Sequence, residues 1–348
     1  MDYNEMGRTG VKVSNLCLGT MTFGTQTSEA EGHAQMDFAL NNGINFVDTA
    51  EMYPVNPISA ETIGRTEEIL GKWNAKNPSK RGGYILATKH SGEGMQHVRN
   101  GAPISSKTIG STIEGNLRRL QTDYIDLYQF HWPNRGSYMF RKNWAYEPTN
   151  LNAEAVRADL LDCLQALQVQ VEKGNIRYFG LSNETAWGTS QWLHLSEGLG
   201  LPRVATIQNE YSLLCRLYDT DLAELSIAED VGLIAFSPLA VGLLSGKYQN
   251  GAVPDGSRKS IGPDLGGRAT ERVWPAVDAY LAIAQKHGLD LVHMALSWSF
   301  TRPFLCSAIF GATKISQLEH ILKASNVTLS QECLDDISQV HRAHPMPY

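Results

Sequence analysis

The sequence predicts an α/β protein, a closed (β/α)8 TIM barrel with an N-terminal β-hairpin and extra helices at its C-terminal end. Three observations carry this. Eight short apolar runs recur along the 348 residues, separated by segments of helical periodicity. No Gly-x-Gly-x-x-Gly follows the first run, where a doubly wound sheet would place one. Polar and charged residues gather where several runs end, the end of the strand at which a barrel builds its binding site.

The first fifteen residues form the hairpin, with its turn at Gly7-Arg8-Thr9-Gly10. The barrel strands follow at Leu16–Gly19, Asn45–Thr49, Tyr84–Thr88, Ile125–Phe130, Arg177–Leu181, Val204–Gln208, Leu233–Phe236 and Ser307–Phe310. Between them Ile109, Ile113, Leu117 and Leu120 share one helical face, as do Leu160, Leu164, Leu167 and Val171. Three connections exceed what a barrel turn needs: Ser91–Ser105, Trp132–Asn152 and Ala240–Thr270. Each leaves the C-terminal end of a strand, where long loops are usually functional. The last forty residues give two closing helices and a proline-containing tail. Without repeats, low-complexity segments or a linker, residues 1–348 read as one domain.

Composition narrows the function classes. The chain is 42% hydrophobic and 19% charged, with a formal net charge of -6 and a pI of about 5.9. Its charges are interspersed and no basic run marks a nucleic-acid or anionic-membrane surface. No stretch reaches the ~20 apolar residues that span a bilayer. The N-terminus lacks the basic and apolar regions of a signal peptide, so a cytoplasmic protein is expected. Cys17, Cys163, Cys215, Cys306 and Cys333 are odd in number and mostly lie in apolar runs, which reads as buried free thiols. No zinc-hydrolase His pair, Gly-x-Ser-x-Gly elbow or phosphate loop is present, and no metal centre is expected.

The chemistry sits on three consecutive strand ends. Gly43-Ile44-Asn45-Phe46-Val47-Asp48 closes on a carboxylate, and Tyr53 follows five residues later. The next strand ends in Lys89 and the one after in His131. An acid, a phenol, an ammonium and an imidazole at one mouth suit a proton donor. Free tyrosine titrates near ~10, too high for an efficient acid at neutral pH. A neighbouring ammonium is expected to lower that value, with the carboxylate holding the ammonium and the imidazole orienting a substrate oxygen. The set lacks a reductant, so a hydride must come from a cofactor. In the loop after His131, Trp132, Tyr138, Phe140, Trp144 and Tyr146 lie close together, and Trp132 and Trp144 are the candidate substrate-pocket residues.

These residues resemble the aldo-keto reductases across the whole chain. The likeness rests on Leu18-Gly19-Thr20-Met21, on Asp48-Thr49-Ala50-x-x-Tyr53 and on the order of Asp48, Tyr53, Lys89 and His131, which match the family's catalytic tetrad. Trp132-Pro133 and Gln208-Asn209-x-Tyr211-Ser212-Leu213-Leu214 are similar to the bacterial Tas-like and potassium-channel-β-like branches. The resemblance implies NADPH (or NADP) bound across the barrel mouth and a reversible reduction of an aldehyde or ketone, a small-molecule carbonyl substrate. It implies that Ser182, Asn183 and Gln208 bind the carboxamide, that Tyr211 stacks on the nicotinamide, and that Asp48, Thr20 and Met21 lie by its ribose. It places Ser237, Pro238, Leu239, Gly242, Lys247 and Arg258 around the pyrophosphate, and Gly311, Thr313, Lys314 and Gln317 at the 2′-phosphate. The chain departs from the family at His320 and Ile321, where Glu-Asn commonly contacts the adenine side, and at Pro54, where many relatives have glycine. An NADPH-binding regulatory subunit, as in channel β-subunits, is the second reading, and a Schiff-base aldolase using Lys89 is the third.

Overall fold

The computed structural model describes residues 1–348. A two-stranded antiparallel hairpin comes first, β1 (Tyr3–Glu5) and β2 (Lys12–Ser14), joined through a 3-10 turn at Gly7–Thr9. The next eight strands close a parallel barrel: β3 (Leu16–Gly19), β4 (Phe46–Asp48), β5 (Ile85–His90), β6 (Ile125–Phe130), β7 (Ile176–Ser182), β8 (Val204–Glu210), β9 (Gly232–Phe236) and β10 (Leu305–Gly311). They follow one another around the ring in chain order, and β10 pairs with β3 to close it.

Helices α1 (Glu29–Asn41), α2 (Arg65–Lys76), α3 (Ser106–Leu120), α4 (Ala153–Glu172), α5 (Ala186–Leu199) and α6 (Asp221–Glu229) connect β3 to β9 in alternation. Between β9 and β10 run a short α7 (Arg258–Ile261), α8 (Val273–Lys286) and α9 (Leu291–Phe300). After β10 come α10 (Ile315–Leu322) and α11 (Gln331–Ala343). Their starts follow the usual chemistry. Ser28 and Glu31 form a reciprocal capping box on α1, and Thr185 caps α5 by accepting from Gly188 N–H at 3.1 Å. The apolar faces read from sequence pack inward: Ile109, Ile113, Leu120, Leu160, Leu164 and Leu167 are all buried between helices and strands.

Side-chain alternation with period two makes the barrel interior a stack of layers. The lower layer is apolar: Cys17, Phe46, Ala87, Leu127 and Ile234 are wholly buried there. Met6 and Val13 of the hairpin join that same cluster and stopper the N-terminal end. Two residues further along β4, β5 and β6 the layer turns polar, with Asp48, Lys89 and Gln129, and β8 adds Gln208 beside them. The site therefore follows from pleat geometry: the residues that end the apolar runs are the ones raised to the mouth.

Most strand ends lie within two residues of the sequence reading. β5 and β8 run two residues further than their apolar runs, through Lys89 and Glu210. A buried charge is tolerable in a strand when its partner is buried beside it, and both residues have one.

Candidate active site

Asp48, Tyr53, Lys89 and His131 meet at the mouth. Asp48 is 3% exposed and ends β4; its Oδ2 lies 2.5 Å from Lys89 Nζ. Lys89 is fully buried, and its ammonium also donates to the Thr49 carbonyl at 2.8 Å. That ammonium stands 4.9 Å from the centre of the Tyr53 ring. The Tyr53 and His131 rings pack edge to face with centroids 5.7 Å apart.

Two amides complete the floor. Asp48 Oδ1 accepts from Gln208 Nε2 at 2.8 Å and from Gln129 Nε2 at 3.1 Å, and Gln208 Nε2 donates to Gln129 Oε1 at 3.0 Å. Gln129 was not singled out in the sequence, since a neutral amide inside an apolar run carries no signal. Thr20 donates to the Asp48 carbonyl from both its backbone N–H and its hydroxyl. Met21 packs with Tyr53 and Trp132 in a small cluster around Ala50, Met52, Val55 and Val98.

Electrostatics corrects one expectation. Burial drives the Tyr53 phenol pKa up, and although Lys89 pulls it down the net value lies above that of ordinary tyrosine. The expected lowering is therefore not found: the phenol keeps its proton at neutral pH. For Lys89, burial opposes the charge, but Asp48 and Tyr53 outweigh it and the ammonium titrates above its usual range. His131 is pushed well below the ordinary imidazole value, first by burial and then by Lys89, so it is neutral. Its Nδ1 is buried without a hydrogen-bond partner.

The next strand ends are knitted to this floor. Ser182 Oγ donates to the Gln208 carbonyl at 2.8 Å, and Asn183 Nδ2 donates to the His131 carbonyl at 2.9 Å. Asn183 holds a left-handed backbone at φ 54°, and its Oδ1 is buried and unpartnered. After β9, Ser237, Ala240, Val241 and Gly242 all have positive φ, from 47° to 97°. Only Gly242 adopts that region without strain. A side chain there would collide with Lys247, whose Cε lies 2.9 Å from the position of an added Cβ. Pro238 and Leu239 lie within this turn, and Leu239 O accepts from the Gly242 and Leu244 N–H groups. Arg258 begins α7, with its Nη1 buried and unpartnered. At the far side, Gly311 ends β10 in register with Gly19. Gln317 Oε1 caps α10 by accepting from the Thr313 and Lys314 N–H groups at 2.8 and 3.3 Å, and Lys314 is exposed.

Two sequence-predicted positions fall elsewhere. Tyr211 is wholly buried, stacked on Trp298 with ring centres 5.2 Å apart, and its hydroxyl donates to Asp219 at 2.5 Å. It has no free face for a nicotinamide. The half-buried ring at the end of β9 is Phe236, which packs on the interior barrel cluster. Trp144 is 55% exposed and lies over Arg272 at 4.6 Å, outside the tetrad's packing. Trp132, in contrast, stacks beside His131 with centroids 5.0 Å apart and donates from Nε1 to the Glu93 carbonyl at 3.0 Å. Gly92 leaves room for that indole, since an added Cβ would lie 2.4 Å from it.

A second buried carboxylate marks the mouth beyond β8. Glu210 accepts from Arg268 Nε and Nη2 at 2.7 and 2.8 Å, from Arg141 at 2.9 Å and from the Tyr348 hydroxyl at 3.1 Å. A small cleft opens beside it, between residues 139–143, the end of β8 and Pro345–Tyr348. No helix of the chain is long and apolar enough to cross a membrane.

The sequence profile of the aldo/keto reductase family matches residues 15–342. Among curated proteins, the chain is 44% identical to Protein tas of Escherichia coli (strain K12) over 350 aligned positions, covering 100% of this chain and 99% of that one. It is 33% identical to the uncharacterized oxidoreductase YrpG of Bacillus subtilis (strain 168), covering 98% and 96%. It is 29% identical to a probable voltage-gated potassium channel subunit beta of Arabidopsis thaliana, covering 99% and 98%.

Proposed function

The chain belongs to the aldo/keto reductase family of oxidoreductases, and from that premise we propose that it is an NADPH-dependent reductase of aldehydes or ketones, acting as a single domain of residues 1–348. The observation that carries this reading is the set of buried polar atoms left without partners around one polar floor: His131 Nδ1, Asn183 Oδ1 and Arg258 Nη1. Orphaned buried groups are expensive. An acceptor beside the tetrad suits a carboxamide, and a guanidinium in the loop after β9 suits a phosphate.

When bound, the nicotinamide supplies the hydride that no side chain here can. Ser182, Asn183 and Gln208 are the groups to hold its carboxamide, and Phe236 offers the ring face that Tyr211 lacks. Thr20, Met21 and Asp48 border the ribose. Ser237–Leu239, Gly242, Lys247 and Arg258 take the pyrophosphate; the left-handed turns there are the type that aims several N–H groups at one anion. Gly311, Thr313 and Lys314 take the 2′-phosphate at the start of α10. Gln317 Oε1 now occupies the N–H groups of Thr313 and Lys314, so it must rotate away for an anion to enter.

Tyr53 is the proton donor. Its hydroxyl is protonated at neutral pH; burial makes it a weaker acid and Lys89 opposes that, so donation to the alkoxide that forms as the carbonyl is reduced rests on the ammonium. The Lys89 ammonium then stabilises the phenolate left behind. Neutral His131 orients the carbonyl oxygen without competing as an acid. Lys89 argues against the aldolase reading, because imine formation needs a neutral amine and Asp48 favours the charged one. The test is a panel of aldehydes, ketones and quinones read as loss of NADPH absorbance. Turnover of at least one class supports the reductase. Tight NADPH binding with no turnover across the panel would favour a regulatory subunit instead; the Arabidopsis relative is named as a probable channel subunit.

A further inference from the structure

Two histidine–carboxylate clusters lie on the helical layer outside the barrel, and they differ in what neutralises them. In one, His287 Nε2 lies 2.7 Å from Asp336 Oδ2, and the Lys286 ammonium is 2.7 Å from Asp336 and 3.0 Å from Glu332. That group already holds its cation.

The other brings together Asp290, His293 and His320. Asp290 is the N-cap of α9, accepting from the His293 N–H at 3.1 Å. His320 reaches across from the last turn of α10, its Nε2 3.2 Å from Asp290 Oδ1. His293 Nδ1 faces the same oxygen at 4.0 Å. No lysine or arginine pairs with Asp290; the ionisable groups facing it are these two imidazoles.

The tautomer of His293 is decided by its other nitrogen. Nε2 lies 2.8 Å from the backbone carbonyl of His320. A carbonyl only accepts, so Nε2 carries the proton, and in the neutral ring Nδ1 turns a lone pair toward a carboxylate. Two acceptors facing each other ask for a cation between them. A carbonyl fixing the far nitrogen is also the outer-shell arrangement of metal-binding histidines. One ligand atom from each of the three residues lies within 4.8 Å of the others. Donors around a tetrahedral zinc stand about 3.3 Å apart, so one edge is already formed and the widest exceeds it by about 1.5 Å. His293 is held by the His320 carbonyl and its side chain is only 13% exposed, so closing that gap falls to the more exposed side chains of His320 and Asp290.

We propose that Asp290, His293 and His320 bind a divalent transition-metal ion of the zinc, nickel or copper class. The ligands are the Asp290 carboxylate, His293 Nδ1 and His320 Nε2, with water completing the shell. Two imidazoles and one carboxylate select such borderline ions over magnesium or calcium, which prefer all-oxygen sites. The ion would tie the start of α9 to the end of α10, the two helices on either side of β10. The site shares no residue with the tetrad and stands whether or not the chain is a reductase. The position was invisible to a motif search, because His293 and His320 come from different helices.

The experiment uses full-length, tag-free protein stripped with EDTA. Zn²⁺, Ni²⁺ and Mg²⁺ are titrated by isothermal calorimetry at micromolar metal, and melting is followed alongside. We expect one equivalent of Zn²⁺ or Ni²⁺, a raised melting temperature and no response to Mg²⁺. His320→Gln and His293→Gln should each weaken binding more than about tenfold, the scale of losing a group from a metal site. His287→Gln should leave it unchanged. Absence of binding overturns the proposal, as does binding that survives both ligand variants or is lost in His287→Gln. His320 is 43% exposed, so its substitution leaves the fold intact and the result readable.

Discussion

Asp48 and Glu210 both end barrel strands, 3% and 8% exposed, and the company each keeps is different. Asp48 has one cation, Lys89, and fills its second oxygen with the neutral amides of Gln129 and Gln208. Its lysine also faces the Tyr53 ring, 4.9 Å from the ring centre. Glu210 has two guanidinium groups, one of them gripping both carboxylate oxygens, and a tyrosine hydroxyl as well. Arginine forks fix geometry and never give up their charge. The first arrangement leaves a cation free to respond to a neighbouring proton. The second has positive charge in surplus and ties three segments together: the loop after β6, the loop after β9 and the tail, where Thr270 also donates to the Pro347 carbonyl.

If that contrast is right, substitutions at the two corners fail in different measurements. Tyr53→Phe should lower turnover by roughly 10²-fold or more, the scale of losing a general acid, with NADPH binding kept in a fluorescence titration. Unchanged turnover would make the Asp48 corner structural, like its counterpart. Glu210→Ala should instead act on the fold, leaving buried Arg268 and half-buried Arg141 together without an anion. Loss of one partner from a buried ion cluster costs about 3–5 kcal/mol, read from urea midpoints. A midpoint equal to that of the parent would mean the clasp bears no load.

Acid should weaken the fold. His90 is pushed down to about 3, by burial and then by Arg99, and His131 is also well below its ordinary value. Both would bind a proton near ~6.5 in the unfolded chain, so the unfolded state holds more protons in the window below that pH. Stability should therefore decline as pH falls from about 6.5 towards 3, by up to about 1.4 kcal/mol per pH unit for each histidine. Urea midpoints that are flat across this range would contradict the neutral assignment.

Two smaller effects refine the mouth. Lys314→Ala should weaken NADPH relative to NADH by about 1.5–3 kcal/mol, the worth of a charge-assisted bond, and equal losses would remove Lys314 from the 2′-phosphate. Trp132→Ala should raise the Michaelis constant for bulky carbonyls more than for short ones, because the indole packs against Tyr53 and His131. Trp144→Ala should change selectivity little and stability by no more than about 0.5 kcal/mol, as expected for an exposed residue. Equal shifts in both variants would mean that the loop acts as a unit.

The sequence exposed most of the barrel because its signals are local. A strand in a closed parallel barrel is buried on both faces, so its run is apolar throughout, and the break in each run fell where the mouth begins. Asp48, Tyr53, Lys89 and His131 were legible for that reason. The failures share a cause as well. Tyr211 lies three residues past Gln208, and its fate was decided by Trp298 and Asp219, which local pattern does not connect to it. Glu210 gained its partners from positions 141, 268 and 348. The direction of the Tyr53 pKa was set by desolvation outweighing the pull of Lys89 at a half-buried ring, a balance that local pattern does not show. Trp144 shared its loop with Trp132, and nothing in composition separates an indole that faces the tetrad from one lying on Arg272.

The hairpin stopper sets a rule for protons. Met6 and Val13 seal the N-terminal end, and the layer above them is Cys17, Phe46, Ala87, Leu127 and Ile234, with no ionisable oxygen or nitrogen. The barrel is a blind well, and Lys89 stands on its floor with no exposed surface of its own. On the role proposed for Tyr53, a proton that leaves it can be replaced only from above. Whatever lies across the mouth thus governs proton return as well as substrate entry, and the donor is recharged only when that cover lifts or hands a proton on.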